Sequence, residues 1–289
     1  MKTIFLSALL AVIAAFATVK LTMPAGITAT PKETAYERVM RTGVLRCGYG
    51  AWAPFVLKDP VTSEMTGLFV ELTEAMAQLN GIRVEWTAEV DWGSIPAELK
   101  SGKIDAHCAG MWPDGHRAQK MAFTAPFTFL NVGLIAREND SRFNTGASIT
   151  LATVNKPEFT VGVVEGDATE FMTKSALDKV TVYALPPMAN YGNSIADLEG
   201  GRTDFFLGPK IIEQPLRDSG AKVKFIPLTD QLQTNGDVIA VDIYEHELWQ
   251  FLNASAKDLL NNAAYDRIMT RYEQEYPGSL LRPAKMYQE

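Results

Sequence analysis

Ala97-Glu-Leu-Lys-Ser-Gly-Lys-Ile-Asp105 and Ala196-Asp-Leu-Glu-Gly-Gly-Arg-Thr-Asp204 follow one pattern: a helix end, a glycine cap, a basic residue, and an aspartate where a strand begins. Each strand then runs to a glycine, Gly110 in the first and Gly208 in the second. Capping and a strand start explain either copy alone. The repetition constrains the chain further, to two similar α/β units.

The surroundings of both copies fit such units. Residues 30–42 read as a polar, partly helical lead-in, and 44–48 as a strand followed by an aromatic-rich loop to Phe55. A helix is predicted from Gly67, because Leu68, Leu72, Ala75, Met76 and Leu79 share one face at helical spacing; Asn80-Gly81 ends it. Residues 82–86 read as a strand, Ser94 as the cap of a helix through Leu99, and Asp105 opens the next strand. The second unit runs through a strand at 161–164, a helix with Asp167 and Glu170 as a capping box, a strand at 180–183, a helix over 190–199, and a strand at 204–207. A helix from Pro209, interrupted by Pro215, and a strand at 222–226 complete it. This alternation builds mostly parallel sheets with flanking helices. Residues 127–136 and 236–242 are extended stretches between the units. The helices at about 245–261 and 264–275 have apolar faces but no unit of their own, so they are expected back on the first. That makes two crossing strands and a hinge.

The chain has 289 residues, 47% of them apolar, enough for two modest cores. Its net charge of -7 comes with no basic cluster, so no nucleic-acid partner is expected. Met1-Lys2-Thr3 precedes an apolar run over residues 4–19, which Lys20 closes. The run is short for a membrane span and suits a signal peptide over 1–29 with cleavage at Ala29. Retention as an N-terminal anchor is the alternative, and either exports the remainder. Cys47 and Cys108 are the only cysteines. Export permits a disulfide, but both lie in apolar strand-like runs, and two buried thiols are the favoured reading. His107, His116 and His246 have no metal-ligand spacing among themselves or with the cysteines, so neither metal nor cofactor is expected.

The first repeated strand leads into the candidate site. Gly110 breaks it, Pro113-Asp114-Gly115 turn the chain, and a helix is predicted with Asp114 as N-cap and Arg117 in its first turn. Free backbone N–H groups and a guanidinium would then converge on an anion of carboxylate size. Trp112 stands beside it. Trp52 and Trp92 follow turns rather than lying in apolar stripes, which favours a cleft over the core. Asp167 and Tyr49 are further candidates, Asp167 being first of all an N-cap. The plain alternative for Arg117 is a surface pair with Asp114. Gly48-x-Gly50-x-x-Ala53 matches a dinucleotide fingerprint in form only, since Pro54-Phe55 stand where the helix is needed.

Leu45-Arg-Cys-Gly-Tyr49, Gly67-Leu-Phe-Val-Glu71, Ile95-Pro-Ala-Glu-Leu-Lys-Ser-Gly-Lys-Ile-Asp105, Ala109-Gly-Met111 with Arg117, and Phe123-Thr-Ala-Pro-Phe127 together resemble the bacterial extracellular solute-binding proteins, family 3. These are receptors of polar amino-acid ABC importers. Val161-Gly-Val-Val-Glu-Gly166, Gly201-Arg-Thr-Asp204 and Ala263-Ala-Tyr-Asp-Arg-Ile268 extend the resemblance over about residues 40–276. It implies a two-lobed periplasmic-binding-protein fold of type II, each lobe a mostly parallel sheet with flanking helices, joined by two hinge crossovers. Lobe 1 would comprise 40–127 and 236–276, lobe 2 130–233, and 277–289 a C-terminal tail. It also implies that Arg117 holds a ligand carboxylate with backbone near Gly110 and Trp112, that Trp52 and Trp92 sandwich the ligand side chain, and that the turn Glu165-Gly166-Asp167 touches it. The chain departs from the family where an acid usually follows the strand begun at Asp204, for Gly208-Pro209 stand there. Trp112 and Asp114 replace usual hydroxyl residues, and Glu71 replaces a usual Asp and reads as structural.

The expected function is that of a monomeric periplasmic receptor, not an enzyme. It captures a small carboxylate ligand, amino-acid-like and aromatic or cationic, and passes it to a membrane ABC permease. Tryptophan faces attract cations, by about 0.5–2 kcal/mol each. The runner-up is a cyclohexadienyl dehydratase using Glu165, Asp167 or Asp114, against which stands the lack of a nucleophile–base pair. A sensor or lytic-enzyme accessory lobe is a weaker third reading.

Overall fold

In the computed structural model, residues 33–230 and 232–284 are described, and the residues from Ala35 onward form one unit. The leader expected over 1–29, with its cleavage at Ala29, lies outside the described residues. No helix among the described residues is long and apolar enough to cross a membrane.

The chain begins with α1 (Ala35–Thr42), β1 (Val44–Tyr49), the hairpin strands β2 (Leu57–Lys58) and β3 (Met65–Thr66), α2 (Leu68–Leu79), β4 (Arg83–Glu89), α3 (Ile95–Ser101), β5 (Ala106–Met111) and β6 (Met121–Phe123). The long strand β7 (Thr128–Arg137) follows. Beyond it come α4 (Leu151–Val154), β8 (Thr160–Val164), α5 (Ala168–Ala176), β9 (Thr181–Leu185), α6 (Tyr191–Glu199), β10 (Phe205–Pro209), α7 (Glu213–Asp218) and β11 (Val223–Ile226). A second long strand, β12 (Thr234–Asp242), then leads to α8 (His246–Leu260) and α9 (Ala263–Glu275).

The strand order is β4-β1-β5-β12-β7-β10-β8-β9, with β6 on β12 and β11 on β7. It reads the same from either end: edge strand, first strand, repeated strand, crossing strand. β5 runs parallel to β1 and antiparallel to β12; β10 runs parallel to β8 and antiparallel to β7. The two halves meet where β12 pairs with β7, Gly236 opposite Phe129. Each half buries an apolar sheet under its helices, which is the reason both hold together.

The repeated aspartates set the register. Asp105 N–H donates to Arg46 O at 2.9 Å, and its Oδ2 accepts from Arg46 N–H at 2.7 Å. Asp204 N–H donates to Thr160 O at 2.7 Å, and its Oδ2 accepts from Thr160 N–H, also at 2.7 Å. Each carboxylate thus clasps the parallel neighbour at its first turn into the sheet. Each also meets two arginines, Arg46 and Arg38 for Asp105, Arg137 and Arg142 for Asp204.

The late helices do return to the first half. Tyr272 Oη donates to Glu71 Oε1 at 2.9 Å, Trp249 Nε1 to Phe123 O at 2.7 Å, and Tyr265 Oη to Phe127 O at 2.7 Å. Glu71 also pairs with Arg271, so it ties α2 to α9 and is structural. This second covering layer widens the buried face of α2. Phe69, Val70, Thr73 and Ala77 are buried with Leu68, Leu72 and Met76, while Leu79, expected inside, is 43% exposed.

Four local expectations are corrected. Cys47 and Cys108 form a disulfide rather than two thiols; β1 and β5 pair with Cys47 opposite Ala106, which sets the two side chains side by side. The segment after Asp114 is a short 3-10 turn, Arg117–Gln119, not an α-helix; Asp114 still accepts from Arg117 N–H at 2.8 Å. Pro209 ends β10 instead of starting a helix, because a 3-10 turn over Lys210–Ile212 precedes α7. Asp167 caps α5 through Thr169 N–H at 2.7 Å, but Glu170 reaches back to Gly166 N–H at 2.8 Å, one residue beyond the box.

The described part of the tail, residues 277–284, is tied to β7 and α9. Phe129 N–H donates to Leu281 O at 2.8 Å, and Phe129 O accepts from Leu281 N–H at 3.0 Å, while Arg282 pairs with Asp266 and Glu273.

Candidate functional site

A cleft of about 130 Å³ lies between the halves. From the first half it is lined by Trp52, Trp92, Gly110, Trp112 and Arg117, and from the second by Asp167, Tyr191, Phe206 and Pro209. The strand ends position both walls. Gly110 and Pro209, each five residues past its repeated aspartate, face the same space. Gly110 adopts φ 76°, and a Cβ there would collide with the Phe69 ring. Only glycine lets β5 turn over α2 and carry Trp112 and Arg117 into the cleft.

Arg117 is 6% exposed. Its Nη1 donates to Trp112 O and its Nη2 to Gly166 O, both at 2.9 Å, and Nε lies 3.7 Å from Asp114 Oδ2. One carbonyl belongs to each half. A guanidinium has five N–H donors, so three remain after these two bonds. Burial pulls Arg117 below its ordinary pKa, and Asp167 and then Asp114 pull it back. The group is a desolvated cation with carbonyl dipoles for partners, a setting that favours a further anion.

The indoles are fixed from behind. Trp52 Nε1 donates to Ala109 O at 2.7 Å, and Trp112 Nε1 to Asp237 Oδ1 at 2.8 Å. Trp52 stacks on Phe55 with centroids 4.1 Å apart, and meets Trp92 and Trp112 edge to face at 6.0 and 6.3 Å. With both N–H groups engaged in the protein, Trp52 and Trp112 offer the cleft π surface rather than donors. His107 lies under Trp92, with centroids 5.4 Å apart, and is fully buried. Burial, and then Arg117, push its pKa down to about 3, so the imidazole is neutral.

The opposite wall is acidic and aromatic. Asp167 Oδ1 is engaged by Thr169, through N–H at 2.7 Å and hydroxyl at 2.6 Å. Tyr191 stacks on Phe206 at 6.0 Å; burial and the nearby Asp167 raise its phenol far above the ordinary range, so it stays protonated. Gly166 comes against Gly93 across the cleft: a Cβ on Gly166 would stand 2.8 Å from Gly93 Cα. The approach therefore depends on glycine at 166, which also has φ 80°, whereas a Cβ on Gly93 would meet Gly166 Cα at an ordinary 3.6 Å.

Of the residues expected at the site, Trp52, Trp92, Gly110, Trp112, Arg117 and Asp167 come together around the cleft. Asp114 stands behind Arg117 rather than on the wall. Tyr49 does not join it: at 2% exposure it packs edge to face on Trp86, 6.1 Å away, because it is the last residue of β1 and points into the sheet's covering layer. Tyr191, Phe206 and Pro209 were not foreseen. The repeat carried a signal for the last two, since counting from Asp204 as from Asp105 sets Phe206 against His107 and Pro209 against Gly110. Among the described residues, no group of three or more His, Cys, Asp or Glu is placed to hold a metal ion.

Residues 45–275 match the bacterial extracellular solute-binding proteins, family 3. A probable histidine-binding protein of Campylobacter jejuni is 38% identical over 91 residues, 31% of this chain and 34% of that protein; the chain thus spans about a third of that relative's length. An ancestral arginine-binding protein, solved with arginine bound, has a TM-score of 0.67 at 24% identity, over 82% of this chain and 99% of the other. An ancestral amino-acid-binding protein, a precursor of cyclohexadienyl dehydratase, has a TM-score of 0.69 at 22% identity, over 82% and 98%. The shared architecture is the two-lobed type II periplasmic-binding-protein fold.

Proposed function

This chain belongs to the bacterial extracellular solute-binding proteins, family 3, and from that membership we propose that it is a periplasmic receptor for a small, amino-acid-like carboxylate bearing a cationic or flat aromatic group. Lobe 1 comprises 40–127 and 236–276, and lobe 2 comprises 130–233; they close on the ligand about β7 and β12. The receptor then hands the ligand, unchanged, to a membrane ABC permease. One observation carries this reading: Arg117 is buried between a carbonyl of each half, with three donors left beside the indoles. Carboxylate on the fork and cation or ring on the indoles is the complement of that geometry. The surplus of acid on the cleft wall, Glu89, Asp91 and Asp167 against Arg117, supports a cationic ligand. The Cys47–Cys108 disulfide supports an oxidising compartment and hence export.

Arginine, held by one ancestral neighbour, is of this class, whereas the glutamine held in another and the L-cysteine taken by a third are not. Of the acids a dehydratase would draw on, Asp167 lines the cleft and Glu165 and Asp114 do not. Calorimetric titration with L-arginine, L-histidine, L-phenylalanine, L-glutamine and L-glutamate tests the reading. A cationic or aromatic member should bind tightest. Tight binding of glutamate or glutamine with no heat from the other three contradicts it.

A further inference from the structure

Asp237 is the odd residue of the hinge. It lies on the crossing strand β12, fully buried, opposite Thr128 of β7. Its main chain is used in the hinge, where its carbonyl accepts from Phe127 N–H at 2.9 Å. Its carboxyl has one hydrogen bond, Oδ1 to Trp112 Nε1 at 2.8 Å. Oδ2 is buried with no partner among the described residues. A carboxyl in that position costs free energy that an apolar residue would not, so the one bond it makes is the reason to look for a role. Burial raises its pKa well above the ordinary carboxyl value, and the Trp112 N–H pulls it part of the way back.

Trp112 links this buried group to the cleft. Its indole forms part of the wall, edge to face with Trp52, and its carbonyl accepts from Arg117 Nη1. Whatever fixes Trp112 therefore fixes both the π surface and one of the two carbonyls that orient the guanidinium. We propose that Asp237 is a positioning and specificity-determining residue: by accepting the Trp112 indole N–H from the hinge strand it sets the wall and the Arg117 fork, and it withholds an N–H donor from the ligand. The consequence is selection for cations and rings over neutral amides, because the Trp112 indole offers an amide ligand no donor for its carbonyl. This rests on the cleft being the ligand site, as proposed above.

The test uses the whole chain as wild type, Asp237→Asn, Asp237→Leu, Trp112→Phe and the double variant Trp112→Phe/Asp237→Leu, titrated with L-arginine and L-glutamine. Asparagine retains an oxygen acceptor; leucine does not. Asp237→Asn should keep the arginine-to-glutamine affinity ratio within about twofold. Asp237→Leu should lower it at least tenfold, and the double variant should lose no more than Trp112→Phe alone. Exchange of the Trp112 indole proton, followed by 15N NMR without ligand, should be slow in wild type and Asp237→Asn and fast in Asp237→Leu. Should the leucine variant not fold, Asp237→Asn with the double variant, whose apolar pair needs no acceptor, carries the comparison. An unchanged ratio in the leucine variant, a double variant that loses more than Trp112→Phe alone, or an asparagine variant as impaired as leucine, overturns the proposal while leaving the receptor reading intact. No heat from either amino acid with wild type, together with fast indole exchange in it, would overturn the inference as well as its premise.

Discussion

The two repeated strands begin alike and end differently. Asp105 and Asp204 each clasp the neighbouring parallel strand and draw in two arginines. Past them the paths part. β5 reaches Gly110, turns, and delivers Trp112 and Arg117; β10 reaches Pro209 and delivers no charge. His107 in the first strand has Phe206 as its counterpart, and Cys108, bonded to Cys47, has Leu207, while Val161, opposite Phe205, stands in the position of Cys47. The shared beginning makes the fold; the unshared end shapes the cleft. A closed pair of symmetric lobes would grip a symmetric ligand, whereas this cleft has Arg117 and three indoles with Glu89 and Asp91 on one side, and Asp167 with Tyr191 and Phe206 but no cation on the other.

That contrast can be broken at its largest point first. Arg117→Ala should weaken binding of the tightest amino acid by roughly 2–5 kcal/mol, since the partner charge is desolvated, while Pro209→Ala at the matching place should change it far less; calorimetry reads both. A loss below about half a kcal/mol for Arg117→Ala would place the fork outside the site. Next comes the disulfide, which only the first half has. Cys47→Ser with Cys108→Ser should cost about 2–4 kcal/mol of unfolding free energy by urea titration, with affinity preserved at temperatures where the chain stays folded.

The shared beginnings should behave alike but not equally. Asp105→Ala should cost about 3 kcal/mol, because its side chain is fully buried against two arginines. Asp204→Ala should cost about 2 kcal/mol, its side chain being 18% exposed. Equal losses, or losses in affinity rather than stability, would undo the assignment of both to the fold.

The effect of pH is the most diagnostic of asymmetry. His107 has an ordinary pKa of 6.5 and is pushed down to about 3 in the folded protein. Between those values the unfolded chain binds the proton and the folded one does not. The stability His107 contributes is therefore complete above 6.5 and is lost as pH falls, by about 1.4 kcal/mol per pH unit. His107→Phe, which copies the second half, should remove that slope from the difference between variant and wild type. Asp237 has the opposite sign: its raised pKa gives stability that is full below 3.8 and declines as pH rises, so only the difference between the two proteins isolates His107.

What could be read in the sequence was what depends on neighbours along the chain. The repeat, its caps and the strand starts are local chemistry, and they announced two α/β units. The late helices were placed because apolar faces such as that of Leu248, Leu252 and Leu259 must be covered. Arg117 and the tryptophans were legible as candidates because they follow turns, and they line the cleft although Arg117, Trp52 and Trp112 are buried. The disulfide was missed because it depends on the register between β1 and β5, which neither cysteine's neighbourhood reveals. The helix predicted after Asp114 failed because the cap was made while only three residues, Arg117–Gln119, coil after it. Tyr191 was invisible for a similar reason: its neighbour Asn190 spelled only a helix start, and the ring became wall through its stacking on Phe206.

A crystal structure of the protein with the tightest-binding amino acid of the panel examines the central claim most directly. The account predicts the carboxylate on the Arg117 guanidinium at about 2.7–2.9 Å, with the ligand's cation or ring against Trp52, Trp92 or Trp112. A ligand held outside the cleft, or inside it with its carboxylate away from Arg117, would contradict the account.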